Sequence, residues 1–309
     1  MKPLIAIGLG TRDRPEMLKE ALNSLINIHL PEEVDVLLIV CDNGSTDESF
    51  KVVQNLEEKT PFKVSYLKEE RQGIAYMRNR ILEKALDEKA TYLAFFDDDE
   101  TVDEDWLVEL TNARIKYSAH VVQGRLEQKF PEISDSKIVK KFFPGDFNKN
   151  SGDDLNEAYT GNVIMDISFV VSNNLRFNHR FNLTGGSDSY FFRQMKKNGA
   201  RIVYCKEAVA TETIPESRAS INWILSRFYR NGYTKYLMDV ADYGKYKAFW
   251  MGFLYVFKSV KTCISVTFSS HKSIDEIKMK KLNRCLRAKG VLHAMFGVPF
   301  EEYTSIHGK

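Results

Sequence analysis

The chain has 309 residues, with 44 Lys and Arg against 42 Asp and Glu and a formal charge of +2. A hydrophobic content of 43% and a charged content of 28% exclude a disordered chain, and the length suits one large α/β domain or two modest ones that bury a core without disulfides. The near-neutral sum hides a segregation: residues 245–290 hold nine Lys and two Arg against one Asp and one Glu, leaving 33 basic and 40 acidic residues elsewhere.

The stretch Met1 to Ile7 reads as a strand rather than a secretory leader. Cys41, Cys205, Cys263 and Cys285 are scattered without a CxxC pair, which reads as cytosolic thiols rather than a disulfide framework. The longest uncharged apolar run, Ala248 to Phe257, stops at Lys258, short of the ~18 residues of a membrane span.

Strands are expected at Pro3–Leu9, Val34–Cys41, Lys63–Leu67 and Thr91–Phe96. These runs are short and apolar on both faces, as in strands buried between two helical layers. Helices are expected between them at Pro15–Ile28, Thr46–Lys59 and Gly73–Lys89. Pro15 suits a first helical position, and Leu18, Leu22, Leu25 and Ile26 form one apolar stripe. The alternation predicts right-handed crossovers and a mainly parallel, Rossmann-like sheet, with ligands at the carboxyl ends of its strands. Phe130 to Ala158 reads as an irregular excursion containing Pro131, Pro144, Gly145 and Gly152. Beyond it, Val163–Val171 and Arg201–Cys205 read as strands, and Asp188–Lys197, Ser217–Asn231, Tyr246–Phe268 and Ser273–Lys289 as helices.

Three strand ends carry polar motifs. Asp97-Asp98-Asp99-Glu100 places four adjacent carboxylates after a buried strand. Such a run is either a solvated turn into a helix near Val102, whose N-terminus acids favour, or a site for Mg²⁺ or Mn²⁺. Thr184-Gly185-Gly186-Ser187-Asp188 either caps the following helix or holds a carboxylate where a ligand approaches the backbone and a hydroxyl can lose its proton. Gly8-Leu9-Gly10 lacks the third glycine of a dinucleotide fingerprint, because position 13 is Asp. There is no GxxxxGK[ST] loop, HExxH or GxSxG.

Taken in order, the segments Ile5 to Pro15, Val40 to Asp47, Gly73-Ile74-Ala75-Tyr76-Met77-Arg78-Asn79, Phe96 to Glu100 and Thr184 to Asp188 resemble the family 2 glycosyltransferases of the GT-A fold. Asp13 stands where that family commonly has Asn, and Ser187 where it has Glu. The stretch Thr211 to Arg218, with Trp223, Arg227 and Gly232, is similar to the bacterial exopolysaccharide and lipopolysaccharide branch. The Gln-x-x-Arg-Trp signature of processive synthases is missing, which points to addition of one sugar.

The resemblance implies a GT-A domain over 1–232, with a nucleotide-binding half at 1–120 and an acceptor and catalytic-base half at 121–232. A basic, aromatic-rich helical region follows over 233–309. It implies that Thr11 and Asp42 hold a uracil-type base, with Arg14 and Arg78 near the same pocket. Asp98 would contact the ribose, and Asp99 with Asp97 would hold Mn²⁺ or Mg²⁺ at the diphosphate. Asp188 is the implied catalytic base, and Arg218 and Arg227 are weaker diphosphate candidates. The implied activity is inverting transfer from a nucleotide sugar, a UDP-sugar above all, to a glycan or glycolipid acceptor, at the cytoplasmic face of a membrane. Two alternatives share these features: a non-catalytic nucleotide-sugar or lipid-binding module, and a sugar-1-phosphate nucleotidyltransferase, which would want a glycine-rich basic loop after the first strand. For 245–290 the choice lies between an interfacial helix on anionic lipid and a helix packed on the domain with a solvated lysine face. No nucleic-acid recognition motif accompanies the charge.

Overall fold

The computed structural model describes residues 2–57, 59–60, 62–132, 136–143, 145, 147, 149–267 and 275–300. Its first half follows the expected alternation: β1 (Leu4–Thr11), α1 (Pro15–Ser24), β2 (Asp35–Asp42), α2 (Ser49–Glu57), β3 (Lys63–Lys68), α3 (Ile74–Asp87) and β4 (Tyr92–Phe95). Pro15 occupies the first turn of α1, and Leu18, Ala21 and Leu22 face the core. This helix is shorter than its apolar stripe suggests. The Ser24 hydroxyl bonds back to the Ala21 carbonyl and also accepts from Val102 N–H, so the chain turns there to reach a neighbouring strand.

The second half comprises β5 (Glu100–Val102), α4 (Trp106–Lys116), β6 (Val121–Lys129), α5 (Ser136–Phe142), β7 (Val163–Asp166), α6 (Ile167–Ser172), α7 (Ser187–Lys197), β8 (Ile202–Thr213), α8 (Ile221–Thr267) and α9 (Glu276–Met295). The expected strand over Val163–Val171 is half strand and half helix. Asp166 accepts from Ser168 N–H and caps α6, so the apolar run changes conformation at that residue. The region read as an irregular excursion contains α5. Its Pro144, like Phe268 and Ser273 at the expected helix ends, lies outside the described residues.

The eight strands form one sheet in the order β3-β2-β1-β4-β7-β6-β8-β5. β3, β2, β1 and β4 are mutually parallel, and β6 runs parallel to β8. β7 is antiparallel to both β4 and β6, and β5 to β8. Two apolar layers sandwich the sheet. One is centred on Leu18, Leu22, Trp106 and Leu110, and the other on Ile81, Leu82, Phe177 and Phe191. Strands covered on both sides must be apolar on both sides, which is why they lack polar alternation.

This topology builds one rim. The carboxyl ends of β1, β2 and β4 meet there, and because Phe95 pairs with Val163 in antiparallel register, the start of β7 lies at the same edge. A register shift between Gly124 and Arg125 carries β6 and β8 past it, so that Glu212 of β8 pairs with Glu100 of β5.

Helix α8 runs through Gly232 and breaks at Gly244 (φ 79°, ψ 163°), a backbone conformation that only glycine adopts readily. α9 packs against both halves through glycine contacts. A Cβ on Gly232 would lie 2.0 Å from the Arg287 carbonyl oxygen, one on Gly290 2.1 Å from the Tyr229 carbonyl oxygen, and one on Gly252 2.8 Å from Met295 Sδ. The four cysteines are free thiols.

Candidate active site

Each carboxylate of the rim owes its place to a strand terminus. Thr11 ends β1, and its hydroxyl donates to Asp98 Oδ2 at 2.8 Å. Arg14, before the first turn of α1, donates to Asp98 Oδ1 at 3.0 Å and lies 3.8 Å from Asp99 Oδ2. Arg218, in the turn between β8 and α8, donates to Asp99 Oδ2 at 3.1 Å and to Glu212 Oε1 at 2.7 Å. Its guanidinium lies over Trp223, 5.3 Å from the ring centroid, and Trp223 in turn stacks on Phe143 at 4.8 Å. Arg227 covers the same indole at 5.2 Å.

Asp42 ends β2 in register with Thr11. One of its oxygens accepts from Ser45 N–H at 2.6 Å and the other from the Tyr66 hydroxyl. The next residue, Asn43, holds the following loop: its amide donates to the Glu69 and Arg71 carbonyls and its oxygen accepts from Gly73 N–H, which presents the start of α3 and hence Arg78. Arg78 is buried, with its guanidinium 5.9 Å from the Phe177 ring.

Asp188 lies in the first turn of α7, which follows Gly185 and Gly186 with φ of 76° and 85°. Two consecutive left-handed residues turn the chain sharply enough to bring this carboxylate towards the rim. Burial raises the pKa values of Asp97 and Tyr159, and the charge of Asp188 adds to both. Helix α7 is held by ion pairs to α8: Arg193 lies 3.2 Å from Asp239 and 2.6 Å from Asp242, and Lys197 lies 2.8 Å from Asp242.

The electrostatics of the rim are strained. Burial pushes the Asp97 carboxyl up to about 6; Arg78 opposes this, while Asp99 and Asp188 add to it. Burial pushes Asp98 up to about 7 against Arg14, with Asp99 adding. Glu100 is raised well above the usual carboxylate range, by burial first and then by Asp97, Asp99 and Glu212. Glu212 rises to about 7 by burial, with Arg218 opposing and Asp99 adding. Asp97, Asp98, Asp99, Glu100 and Glu212 therefore face Arg14, Arg78 and Arg218 with an excess of negative charge. Hard carboxylate oxygens in excess of their cations form a donor set suited to Mg²⁺ or Mn²⁺.

Thus Thr11, Arg14, Asp98, Asp99 and Arg218 join one connected cluster, with Asp42 in register beside it and Asp97, Arg78 and Asp188 facing it through charge. Arg227 borders it through Trp223. Sequence reasoning singled out neither Glu212 nor Tyr66 as a site residue, and it left Glu100 as part of the acidic run. No local pattern announces Glu212, because its relation to Glu100 exists only through strand pairing. Tyr66 carries no distinguishing signal in a strand that also holds Lys63, Ser65 and Lys68.

A largely parallel sheet with helices on both faces, an acidic rim at its carboxyl edge and an appended helical region make this a GT-A-type transferase fold. The family model "Glycosyl transferase family 2" matches residues 7–176. The chain is 31% identical over 230 residues to the succinoglycan biosynthesis protein ExoM of Rhizobium meliloti (strain 1021), covering 74% of this chain and 73% of that one. S. aureus TarS 1-349 in complex with UDP-GlcNAc superposes with a TM-score of 0.55 at 19% identity, covering 78% of this chain and 67% of the other. The mannosyltransferase PcManGT from Pyrobaculum calidifontis, in complex with GDP-Man and Mn²⁺, superposes with a TM-score of 0.62 at 13% identity, covering 96% and 88%. The chain belongs to glycosyl transferase family 2 and is a glycosyltransferase.

Proposed function

We propose that the protein is an inverting, metal-dependent glycosyltransferase that moves one sugar from a nucleotide sugar, a UDP-sugar above all, to a glycan or lipid-linked glycan at the inner face of the cytoplasmic membrane. The observation that carries this reading is the meeting of Asp97, Asp98 and Asp99 with Arg14 and Arg218, with Asp188 facing them from α7. UDP-GlcNAc in TarS supports the uridine donor, GDP-Man with Mn²⁺ in PcManGT supports the cation, and succinoglycan biosynthesis by ExoM supports a surface-polysaccharide acceptor. The work divides into a donor half over 1–120, a base and acceptor half over 121–232, and a helical region over 233–309.

In this mechanism Asp42 and Thr11 orient the base, Asp98 the ribose, and Arg78 closes the pocket beside Asp97. Asp99 and Asp97 would hold the divalent cation, which when bound supplies Lewis-acid stabilisation of the departing diphosphate. Asp188 takes the proton of the acceptor hydroxyl as that oxygen bonds to the anomeric carbon. The bond from that carbon to the diphosphate oxygen breaks with its electron pair on the diphosphate, where Arg14 and Arg218 face the growing charge. A single displacement inverts the carbon and needs no covalent nucleophile.

The test is a panel of nucleotide sugars assayed for nucleoside diphosphate release with Mn²⁺, Mg²⁺ or chelator. Asp188→Asn is expected to lose about 10³-fold in turnover while still binding UDP, the usual worth of a positioned base. Wild-type turnover in that variant defeats the role of Asp188, and turnover indifferent to chelator defeats the cation.

A further inference from the structure

The second half of α8, residues 245–267, turns an unusual face to solvent. Tyr246 (92% exposed), Trp250 (64%), Phe253 (47%), Phe257 (68%), Val260 (45%) and Ile264 (53%) are large apolar residues with free surface. Their spacing alternates four and three residues, so they fall on one stripe of the helix. Neighbouring rings on the stripe lie against one another: Trp250 is 5.9 Å from Phe253, and Phe253 stacks on Phe257 at 6.4 Å. Phe249 and Leu254 widen it on either side. The opposite face, at Ala248, Gly252 and Ser259, is buried, with Gly252 against Val291 and Met295 of α9. The helix is therefore packed on the protein by one side and bare on the other.

Its charges are one-sided too. Lys245, Lys247, Lys258 and Lys261 are exposed, and no Asp or Glu occurs from 245 to 267. At ~1.5 Å per residue the helix is roughly 35 Å long. Among the described residues no helix is long and apolar enough to cross a membrane. Aromatic rings, flanking lysines and no carboxylate suit a helix lying in the headgroup zone of an anionic bilayer. A second copy is a poor occupant, because stripe-to-stripe pairing brings lysines against lysines with no acid on either helix.

We propose that the exposed face of residues 246–264 is the membrane-binding surface of the protein, seated on anionic lipid with its rings at the boundary between headgroups and acyl chains and its lysines at the headgroups. The stripe starts two residues after Asp239-Val240-Ala241-Asp242-Tyr243-Gly244 closes, and Asp242 is clamped by Arg193 and Lys197 of α7, the helix that opens with Asp188. The break at Gly244 separates that clamp from the stripe, and α9 bridges it by packing on Gly232 before the break and on Gly252 after it. The proposal deepens the membrane-acceptor reading above and rests on it for the reason an acceptor would be met there; the surface itself rests on the helix.

Vesicle flotation of the full chain tests it, with phosphatidylcholine alone and with added phosphatidylglycerol. The variants are W250S/F253S/F257S and K245Q/K247Q/K258Q/K261Q, each checked for an unchanged melting temperature and unchanged UDP binding. The wild type is expected to float with the anionic vesicles and at least tenfold less with the neutral ones. The aromatic variant is expected to lose at least tenfold of that binding, and the lysine variant the salt-sensitive part of it. Equal flotation of wild type and aromatic variant overturns the proposal, as does a wild type that does not float. A concentration-dependent dimer that the aromatic variant abolishes, without vesicle binding, assigns the face to self-association and overturns it as well. Flotation that behaves as expected in a protein that transfers no sugar defeats the function proposed above and leaves this surface standing.

Discussion

The rim of the sheet and the C-terminal helices carry opposite charges and opposite kinds of strain. At the rim, Asp97, Asp98, Glu100 and Glu212 are polar groups forced inward, each with its carboxyl pushed up by burial and by its acidic neighbours. On residues 245–267 the misplaced groups are apolar, and they face outward among lysines. Rigid strands hold the first arrangement, and the packing of Gly252 against the Val291 and Met295 side chains of α9 holds the second. A buried excess of carboxylates is relieved by a cation, and an exposed aromatic stripe by an apolar phase. The two regions teach that a site can be recognised by the energy it leaves unsatisfied, with the sign of that imbalance naming the partner.

The sharpest way to break the comparison is at the rim. Asp99→Asn is expected to lower transfer by about three orders of magnitude, in line with ~4 kcal/mol of transition-state charge stabilisation. It should also remove the rise in melting temperature that Mn²⁺ gives the wild type. A variant that keeps its Mn²⁺-dependent shift shows that the cation sits elsewhere.

Gly232→Ala attacks the other region. Its Cβ would meet the Arg287 backbone at 2.0 Å, and a backbone cannot move aside as a long side chain can. A loss of about 2 kcal/mol in urea unfolding is expected, with faster amide exchange in α8 and α9 and unchanged UDP binding. If UDP binding falls in step, the two regions are one cooperative unit and the contrast between them fails.

The smallest effect is the pH dependence of the rim. Burial raises the Glu212 carboxyl from its ordinary value of 4.5 to about 7 in the folded protein, with Arg218 and Arg227 opposing and Asp99 adding. The folded state therefore binds the proton more tightly than the unfolded chain. That contribution to stability is fully present below the unfolded value and is lost as pH rises through the folded one. Without divalent cation, stability is expected to fall by on the order of 2 kcal/mol between about pH 4.5 and pH 7, read from urea midpoints. Saturating Mn²⁺ should flatten the loss, because a bound cation replaces the proton. Glu212→Gln should make the slope shallower without abolishing it, because Asp97, Asp98 and Glu100 are raised as well; a slope that this variant leaves unchanged belongs to those groups alone.

Much of the first hundred residues was legible without coordinates. The apolar runs of β1, β2 and β4 and the polar residues that end them are local signals, and in the structure Thr11 bonds to Asp98 while Arg14 pairs with Asp98 and lies near Asp99. Legibility fails where the meaning of a residue depends on a distant one. The run Ile167-Ser168-Phe169-Val170-Val171 has the composition of a strand, yet the cap at Asp166 makes it helical, a signal present in Asp-x-Ser but weaker than the apolar run. The helix expected to stop at Asn231 continues to Gly244, because Gly232 serves as a packing contact for α9 and does not act as a terminator.

The sequence by itself determined the strand and helix order of the first hundred residues, the acidic run at Asp97–Glu100 and the glycine turn before Asp188, because hydrophobic period and turn chemistry act over a few residues. It also determined that a lysine-rich, aromatic segment lies near the C-terminus. Only the tertiary structure decided that Glu212 joins Glu100 and Asp99, that Arg218 reaches across to Asp99, and that the aromatic rings of 246–264 face solvent instead of the domain. Those outcomes depend on strand register, on a turn between β8 and α8, and on which side of a helix its neighbour covers. Each is set by contacts between residues far apart in the chain.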